Sequence, residues 1–381
     1  MAVGTSGVRV RRLGGCRAGE IRLSRFLHNA RVRVSEMIAT AFARTARAAA
    51  GRPVLVLQDT TTLRDDGAGT SLLLHPTIAL DAETGTLLGL VHSQSLRRRG
   101  GARGQRKAMP FAAKQSARWL AGTQAAAGLL QAGATRVTVV CDREGDIYEE
   151  FALRPAEVDL LVRVAQDRTL AGGGRLFAAA GAWPALGRVE VNLPAAPGRA
   201  ARQTQFAVRA GRVVLRRPPR PAAEAEGLPE QVAMVLVEAQ EITPAAGQPA
   251  AQWRLLTTYA VDTLAAAEQI LLFYRARWTI EQLFRVCKSQ GFDLEAVAMA
   301  DAAAYERLAV ATVIAAVQVL QLTQERDGAA RRPLADVFDE PDQAALEAAC
   351  AELEGQTARQ KNPHPRGSLA YAAWVCARLG G

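Results

Sequence analysis

The stretch Pro53-Val-Leu-Val-Leu-Gln-Asp-Thr-Thr-Thr62 joins a continuous apolar run to a cluster of polar residues. A short apolar run without alternation is typical of a strand that is buried on both faces of a sheet. The pattern therefore predicts a central strand that ends at Asp59.

A second stretch, Arg136-Val-Thr-Val-Val-Cys-Asp142, repeats this arrangement, with a buried strand followed directly by an aspartate. Asp146 and Glu149 then have the spacing of a helix capping box, which assigns Asp146 to a helix N-terminus and leaves Asp142 at the strand tip. The two strands are expected to be parallel, so that Asp59 and Asp142 lie at the same edge of the sheet.

A third acidic residue lies in the segment 273–288. Drawn as one α-helix, this segment has an apolar side and, within an arc of roughly 80°, a polar side. The polar side consists of Tyr274, Arg277, Glu281, Arg285 and Lys288. Such a face is either a set of surface ion pairs worth a few tenths of a kcal/mol each or a surface that binds phosphates. The aromatic residues Tyr274 and Trp278 beside the cations, together with the two upstream aspartates, favour the second interpretation.

The rest of the chain predicts a mixed α/β fold, with a hairpin after the first strand and short alternating β runs over residues 165–252. We divide the chain into a short helical N-terminal segment (1–50), a catalytic domain (51–325) that contains this antiparallel β insertion, and a helical C-terminal segment (326–381) that is a candidate for dimerisation.

Composition favours a nucleic acid as the partner. The 381 residues include 47 Lys and Arg against 37 Asp and Glu, a formal net charge of +10, and a basic protein attracts polyanions. A basic, glycine-rich segment, 97–107, is a further candidate for binding phosphates.

Several classes of protein are disfavoured. The five cysteines form no Cys-x-x-Cys pair, which argues against a zinc ribbon or a disulfide framework. The longest apolar run, around 308–322, is broken by Gln318 and Gln321, so no membrane span is expected. We therefore expect a cytoplasmic protein associated with the chromosome.

Asp59, Asp142 and Glu281 together form an all-oxygen set that suits Mg²⁺. Taken singly, Asp59 could close an Asx-turn and Asp142 could begin a helix; taken together, the three acids favour metal binding. The sequence has no Gly-Lys-[Ser/Thr] phosphate loop, no Gly-x-Gly-x-x-Gly after a strand and no zinc-binding spacing of its four histidines.

The spacing Tyr274-x2-Arg277-x3-Glu281-x6-Lys288, with Gln-Asp59-Thr-Thr and Cys-Asp142-Arg-Glu-Gly-Asp, resembles the DDE transposases of the bacterial insertion-sequence-four family, which includes transposon-five-like enzymes. The resemblance extends from about residue 20 to the C-terminus. It implies a ribonuclease H-like fold with a β insertion before the last catalytic acid.

The resemblance also implies roles for individual residues. Asp59, Asp142 and Glu281 would bind two Mg²⁺ or Mn²⁺ ions. The expected contacts to DNA phosphates are Tyr274, Arg277 and Lys288, with Arg163 and Arg285 as further DNA contacts. By its distance from Tyr274, Trp253 matches a tryptophan that holds a flipped base, although a tryptophan in a core strand is an equal alternative.

The function implied is cut-and-paste transposition of double-stranded DNA by a homodimer, through strand nicking, hairpin formation and strand transfer. Since 58 residues precede Asp59, the N-terminal region that recognises the ends of the element is expected to be shortened, and the chain stops at Gly381 where similar chains continue. Two alternatives stay open: a truncated, inactive DNA-binding relative that inhibits an intact enzyme, and a plain metal-dependent nuclease.

Overall fold

The computed structural model describes residues 8, 13, 15–65, 70–99, 109–193, 200–219, 227–244, 247–288, 291–297, 299, 301–329 and 331–380. Within these residues ten strands form one mixed sheet. The strands are β1 (Pro53–Gln58), β2 (Thr61–Asp65), β3 (Thr70–Asp81), β4 (Leu87–Arg99), β5 (Arg136–Cys141), β6 (Asp159–Arg163), β7 (Gly187–Leu193), β8 (Arg202–Arg216), β9 (Gln231–Glu241) and β10 (Gln252–Thr257). Their order across the sheet is β2-β3-β1-β5-β6-β10-β9-β8-β7, and β4 pairs with β3.

The α-helices are α1 (Arg17–His28), α2 (Val34–Ala49), α3 (Ala117–Gln131), α4 (Tyr148–Leu153), α5 (Leu176–Ala182), α6 (Leu264–Ala276), α7 (Trp278–Cys287), α8 (Ala302–Glu325), α9 (Glu340–Leu353) and α10 (Leu369–Leu379). Short 3₁₀ turns cover Phe111–Ala113, Arg143–Gly145, Leu294–Ala296, Leu334–Asp336 and Ala358–Gln360.

Strand β1 is central, and helices cover both faces of the sheet around it. Leu55 and Leu57 belong to a core cluster that also contains residues of α6, α7 and α8. Val54 and Val56 belong to a second cluster, with residues of α2 and α3. Each of these buried side chains contributes about 1.5–3 kcal/mol. Burial on both faces explains why β1 is continuously apolar, and the predicted central strand is confirmed.

The two strands that end in aspartates are parallel neighbours, as predicted. In the register of β1 with β5, Gln58 pairs with Cys141. Because the next residue of each strand is an aspartate, Asp59 and Asp142 leave the sheet side by side.

The strand β2 was not predicted, because Thr60-Thr-Thr62 was interpreted only as the polar residues that end the first strand. It pairs antiparallel with β3, with Thr61 opposite Leu74. The predicted hairpin is confirmed: β3 and β4 pair over most of their length, and Gly85 in their turn has a φ of +72°. The basic segment 97–107 begins at the end of β4, and its residues 100–107 lie outside the described residues.

Strands β7 to β10 are antiparallel and extend the sheet beyond β6. Residues 205–208 and 213–216 were expected to be separate strands, yet both belong to the single strand β8. Gly211, which lies between these two runs, does not interrupt the strand, and a Cβ at this position would lie 2.5 Å from the Trp183 ring. The glycine lets the strand pass under this ring.

The prediction of one helix over residues 273–288 was wrong, because α6 ends at Ala276 and α7 begins at Trp278. At the junction the Arg277 N–H donates to the Tyr274 carbonyl (3.2 Å), and the Ile280 N–H donates to the Arg277 carbonyl (3.1 Å). This i to i+3 pattern tightens the turn. As a result Tyr274 does not share an exposed face with Arg277 but lies in the core, with 6% of its surface exposed.

The helix α8 is long and apolar enough to cross a membrane by length and composition alone. In the fold, 56% of its most apolar window is buried, and it packs against β4 and helices α1, α2, α7 and α10. It therefore behaves as a core helix. Beyond it, α9 and α10 form a small separate core around Leu346, Leu369 and Val375.

Candidate active site

Asp59 lies at the end of β1, with 15% of its side chain exposed. Its Oδ1 atom accepts a hydrogen bond from the backbone N–H of Thr60 (2.7 Å). Its other oxygen, Oδ2, accepts from Nη1 of Arg277 (2.7 Å). One carboxylate oxygen is thus held by the strand end and the other by a helix that comes much later in the chain.

Asp142 begins the 3₁₀ turn Arg143–Gly145, where its Oδ1 atom accepts from the N–H of Glu144 (2.8 Å). Gly145 allows this turn to lie against the strand, because a Cβ there would come within 2.5 Å of the Cys141 Cβ atom. The Asp-Arg-Glu-Gly motif is therefore a tight turn that presents Asp142 beside Asp59.

The assignment of Asp146 to a helix N-cap was wrong. The residue before α4 is Ile147, whose apolar side chain forms no capping hydrogen bond. Asp146 points inward, where its Oδ2 accepts from the backbone N–H groups of Ala165 (2.7 Å) and Gln166 (2.8 Å) and its Oδ1 from Nε of Arg168 (2.8 Å). A local sequence motif does not indicate these partners, because they lie about twenty residues further along the chain.

Glu281 lies on α7, one turn after Arg277. Its Oε1 atom accepts from Nη2 of Arg277 (2.7 Å), the guanidinium whose Nη1 donates to Asp59. A single, largely buried arginine therefore bridges the first and third acids of the predicted triad.

The charges of the three acids influence one another. The pKa of Asp59 is raised from 3.8 to about 6, first by burial and then by the nearby charge of Asp142, with a smaller contribution from Glu281. Arg277 acts in the opposite direction and limits this rise. Asp142 and Glu281 thus lie near enough to Asp59 for their charges to raise its pKa.

The donor set fits a divalent cation in its chemistry, because carboxylate oxygens are ligands that Mg²⁺ prefers and a bound cation would relieve the repulsion that raises the Asp59 pKa. Within the part of the chain that the structure describes, however, no three His, Cys, Asp or Glu side chains lie close enough together to hold an ion. The Arg277 guanidinium lies between two of the acids, so a metal ion would have to replace it.

A groove of about 960 Å³ opens beside these acids. Its lining includes Arg143, Arg163, Trp253, Tyr274, Arg277 and Trp278. The Arg163 guanidinium carbon lies 5.8 Å from the centre of the Tyr274 ring, and the Trp253 and Tyr274 rings are 6.2 Å apart. Four predicted DNA contacts, Arg163, Trp253, Tyr274 and Arg277, therefore line one aromatic and cationic groove.

Trp253 lies partly in the core and partly at the groove. Its ring packs against the buried Phe206, with centroids 5.5 Å apart, and it also lines the groove. Trp278 is 43% exposed at the edge of the same groove, and the Arg285 guanidinium carbon lies 5.7 Å from its ring centre. Lys288 directly follows the last residue of α7, and its Nζ atom forms an ion pair with Glu295 (2.7 Å).

Two cations near the acids were missed by the sequence analysis. Arg143 follows Asp142 directly and lines the groove, so its position in the Asp-Arg-Glu-Gly motif was the available signal. Arg118 lies on α3, where burial lowers its pKa against the opposing effect of the nearby Glu144, Asp142 and Asp59. No local pattern marks Arg118, because its partners come from other elements.

The raised pKa of Asp59 leads to a prediction about pH. Below about pH 4 the carboxyl is protonated in both folded and unfolded chains, while between pH 4 and 6 only the folded chain keeps the proton, so stability falls as the pH rises. Asp59→Asn should therefore stabilise the protein by about 2 kcal/mol near pH 7.5 in EDTA and have little effect near pH 4. Urea denaturation of the variant and the wild type at both pH values measures this difference in stability. An equal difference at the two pH values would contradict the raised pKa of Asp59.

The fold and the acids define the class of the protein: a mixed sheet covered by helices, with carboxylates from two strand ends and a helix beside a cationic groove. Residues 40–317 match the family described as the transposase DDE domain. This match covers more than half of the chain, so the protein belongs to this family. Membership supports function as a DNA transposase, a nucleotidyl-transfer enzyme whose substrate is DNA.

Proposed function

We propose that this protein is a cut-and-paste transposase of the insertion-sequence-four group, which nicks the ends of its element, forms hairpins there and joins the ends to target DNA. The observation that carries the proposal is the convergence of Asp59, Asp142 and Glu281 beside the aromatic and cationic groove. The mixed sheet, with its antiparallel strands before Glu281, supports a ribonuclease H-like domain with a β insertion.

Asp59, Asp142 and Glu281 would hold two Mg²⁺ or Mn²⁺ ions. When bound, such a pair supplies activation of the attacking hydroxyl and stabilisation of the departing oxygen in phosphoryl transfer. The protein's own part is to place these carboxylates at one edge of the sheet and to bring a DNA strand to them.

The groove is suited to a DNA strand near its cleavage point. Arg163 and Arg143 offer cationic contacts to phosphates, and Trp253 offers a face on which an unstacked base can lie. Tyr274 supports Trp253 from the core. Along α7, Arg285 and Lys288 extend the cationic surface, with Lys288 exchanging Glu295 for a phosphate.

Arg277 has two partners in this proposal. It neutralises Asp59 and Glu281 before ions bind, and it contacts a phosphate once ions have replaced it. Because both oxygens it binds belong to proposed metal ligands, ion binding and release of Arg277 are expected to occur together.

Arg277→Met is therefore expected to destabilise the protein in EDTA by about 2–3 kcal/mol, because two partly buried carboxylates lose their counter-ion. Addition of Mg²⁺ should raise the free energy of unfolding of this variant by more than it raises that of the wild type. Thermal unfolding in EDTA and in Mg²⁺ measures both effects. Arg285→Met is the matched control on the same region, since the ion pairs found among the described residues do not include Arg285. Equal losses for the two variants in EDTA would contradict the bridging role.

The proposed activity can be tested with the full chain, Mg²⁺ and DNA that carries the inverted repeats flanking its gene. Nicked and hairpin products are expected, and Asp142→Asn should abolish them. Cleavage without joining of a pre-cut end to target DNA would instead indicate a plain nuclease.

A second candidate is a DNA-binding relative without catalysis, which would inhibit an intact enzyme. The bridge from Asp59 through Arg277 to Glu281 favours it, because the acids are neutralised without an ion. DNA binding with no cleavage product at several salt concentrations would support this candidate over the first.

The two end segments and the cellular location belong to the same proposal. Residues 1–50 would bind the ends of the element, and residues 326–381 would form a surface for a homodimer on paired DNA ends. The protein would act at the chromosome in the bacterial cytoplasm. Light scattering with and without end DNA tests the dimer.

A further inference from the structure

The two residues that flank Asp59 belong to a continuous chain of hydrogen bonds that runs through the core behind the acids. We call this set the buried polar chain. Its members, in order, are Arg118, Thr60, His75, Gln58, Thr123 and Glu150. None of them belongs to the proposed metal ligands or lines the DNA groove.

The contacts of the chain are short. Nε of Arg118 donates to Oγ1 of Thr60 (2.9 Å). The Thr60 hydroxyl lies 2.9 Å from Nδ1 of His75, and Nε2 of His75 lies 3.1 Å from Oε1 of Gln58. Nε2 of Gln58 donates to the hydroxyl of Thr123 (3.1 Å), which donates to Glu150.

The direction of each bond follows from chemistry. Gln58 donates through Nε2, so its Oε1 must accept from the Nε2–H of His75. The neutral imidazole then has Nδ1 as an acceptor, and the Thr60 hydroxyl donates to it. Because Arg118 can only donate, every bond runs the same way, from the guanidinium to the Glu150 carboxylate. A chain satisfied in one direction specifies one arrangement of its members.

Burial makes the arrangement costly to break. The four inner members, Gln58, His75, Thr123 and Glu150, are all 0% exposed. The glycine at position 122 lets α3 approach Gln58, since a Cβ there would lie 2.2 Å from Oε1 of Gln58. Packing and hydrogen bonds together hold Gln58 at a single position.

The chain touches both strand ends that carry the aspartates. Gln58 and Thr60 are the direct neighbours of Asp59, and Nε2 of Gln58 also lies 3.2 Å from Sγ of Cys141, which precedes Asp142. At the other end, Arg118 binds Glu144 (2.5 Å), in the turn that Asp142 caps. The same network therefore supports the position of both carboxylates.

We propose that the buried polar chain positions Asp59 and Asp142 for divalent cations, with Thr60 and His75 as its key positioning residues. This inference rests on the proposed function. A purely structural chain would lower stability when cut and leave metal affinity unchanged. A positioning chain lowers metal affinity, because small shifts of supporting residues weaken a metal site.

The test measures binding of Mn²⁺ alone to the full chain, from the electron paramagnetic resonance signal of free Mn²⁺. Thr60→Val removes the hydroxyl at nearly constant shape and should raise the dissociation constant by about 10-fold or more. Thr60→Ser keeps the hydroxyl and should restore binding to within about twofold of the wild type. His75→Phe keeps a ring against Trp119 without its hydrogen bonds and should behave like Thr60→Val.

Thr312→Val is the matched control. Thr312 is 2% exposed, and in the part of the chain that the structure describes its hydroxyl donates to the Leu308 carbonyl of its own helix α8 (2.8 Å). This variant should keep wild-type affinity for Mn²⁺. Circular dichroism at the measuring temperature establishes that each variant is folded, and the Thr60 pair decides the question if His75→Phe does not fold.

The outcomes separate the two proposals. Weak binding in Thr60→Val with recovery in Thr60→Ser supports the positioning role. Binding that is lost in Asp59→Asn but unchanged in folded Thr60→Val overturns the positioning role alone. If the wild type binds no Mn²⁺, or if Asp59→Asn binds it equally well, the positioning role and the proposed metal site both fail.

Discussion

Glu281→Gln is expected to lower DNA cleavage by roughly 10³-fold or more while DNA affinity stays the same or rises. The substitution keeps the size of the side chain and its place on α7, but it removes a negative charge needed to balance the bound ions. The loss of that charge also reduces repulsion of DNA phosphates, so binding is not weakened.

The measurement compares cleavage in Mg²⁺ with DNA affinity in EDTA, each per folded molecule. Glu268→Gln on the preceding helix α6 makes the same change of charge away from the acids and should cleave like the wild type. Cleavage by Glu281→Gln at the level of this control would show that Glu281 is a structural partner of Arg277 and nothing more.

The second large effect concerns stability. Asp146→Ala is expected to lower the free energy of unfolding by about 3–5 kcal/mol, because it leaves the Arg168 guanidinium buried without its partner. The side chains of Asp146 and Arg168 are 0% and 6% exposed, so water cannot replace the lost carboxylate. The N–H groups of Ala165 and Gln166 lose their acceptor as well.

Urea denaturation measures this loss. Asp327→Ala provides the comparison, since Asp327 forms a 3.5 Å ion pair with Arg326 and its side chain is 77% exposed. This variant should change the free energy of unfolding by less than about 0.5 kcal/mol. The double variant Asp146→Ala with Arg168→Met should lose less than the sum of the single variants, because removing both charges leaves neither one unpaired. A loss below about 1 kcal/mol in Asp146→Ala would contradict the buried role.

The sequence predicted the elements whose signal is local. The strand 53–58 is recognisable because both faces of β1 are buried, which makes each of its positions apolar up to Gln58. The strand 136–141 carries the same signal, and the two aspartates follow directly. The sequence also indicated a long antiparallel region, but it divided β8 into two runs on either side of Gly211. The reason for this glycine is its close contact with Trp183, a residue from outside the strand.

Asp146 shows why other features were missed. Its spacing to Glu149 is that of a capping box, a pattern that spans only four residues. Its true partner, Arg168, is 22 residues away and is reached only after the chain has passed through α4 and β6. A buried ion pair outweighs a local capping preference because both charges would otherwise be desolvated without compensation.

The kind of chemistry was already set by residue types and spacing: two acids directly after buried strands and a third acid among cations on a helix. The tertiary structure decided which groups touch. Arg277 was interpreted as a cation facing DNA, and it meets Asp59, 218 residues earlier, because the tightened turn between α6 and α7 aims its guanidinium at the end of β1. Periodicity reports which face of an element is buried, whereas the partner of a charge depends on how distant elements cross, and only the folded chain determines that crossing.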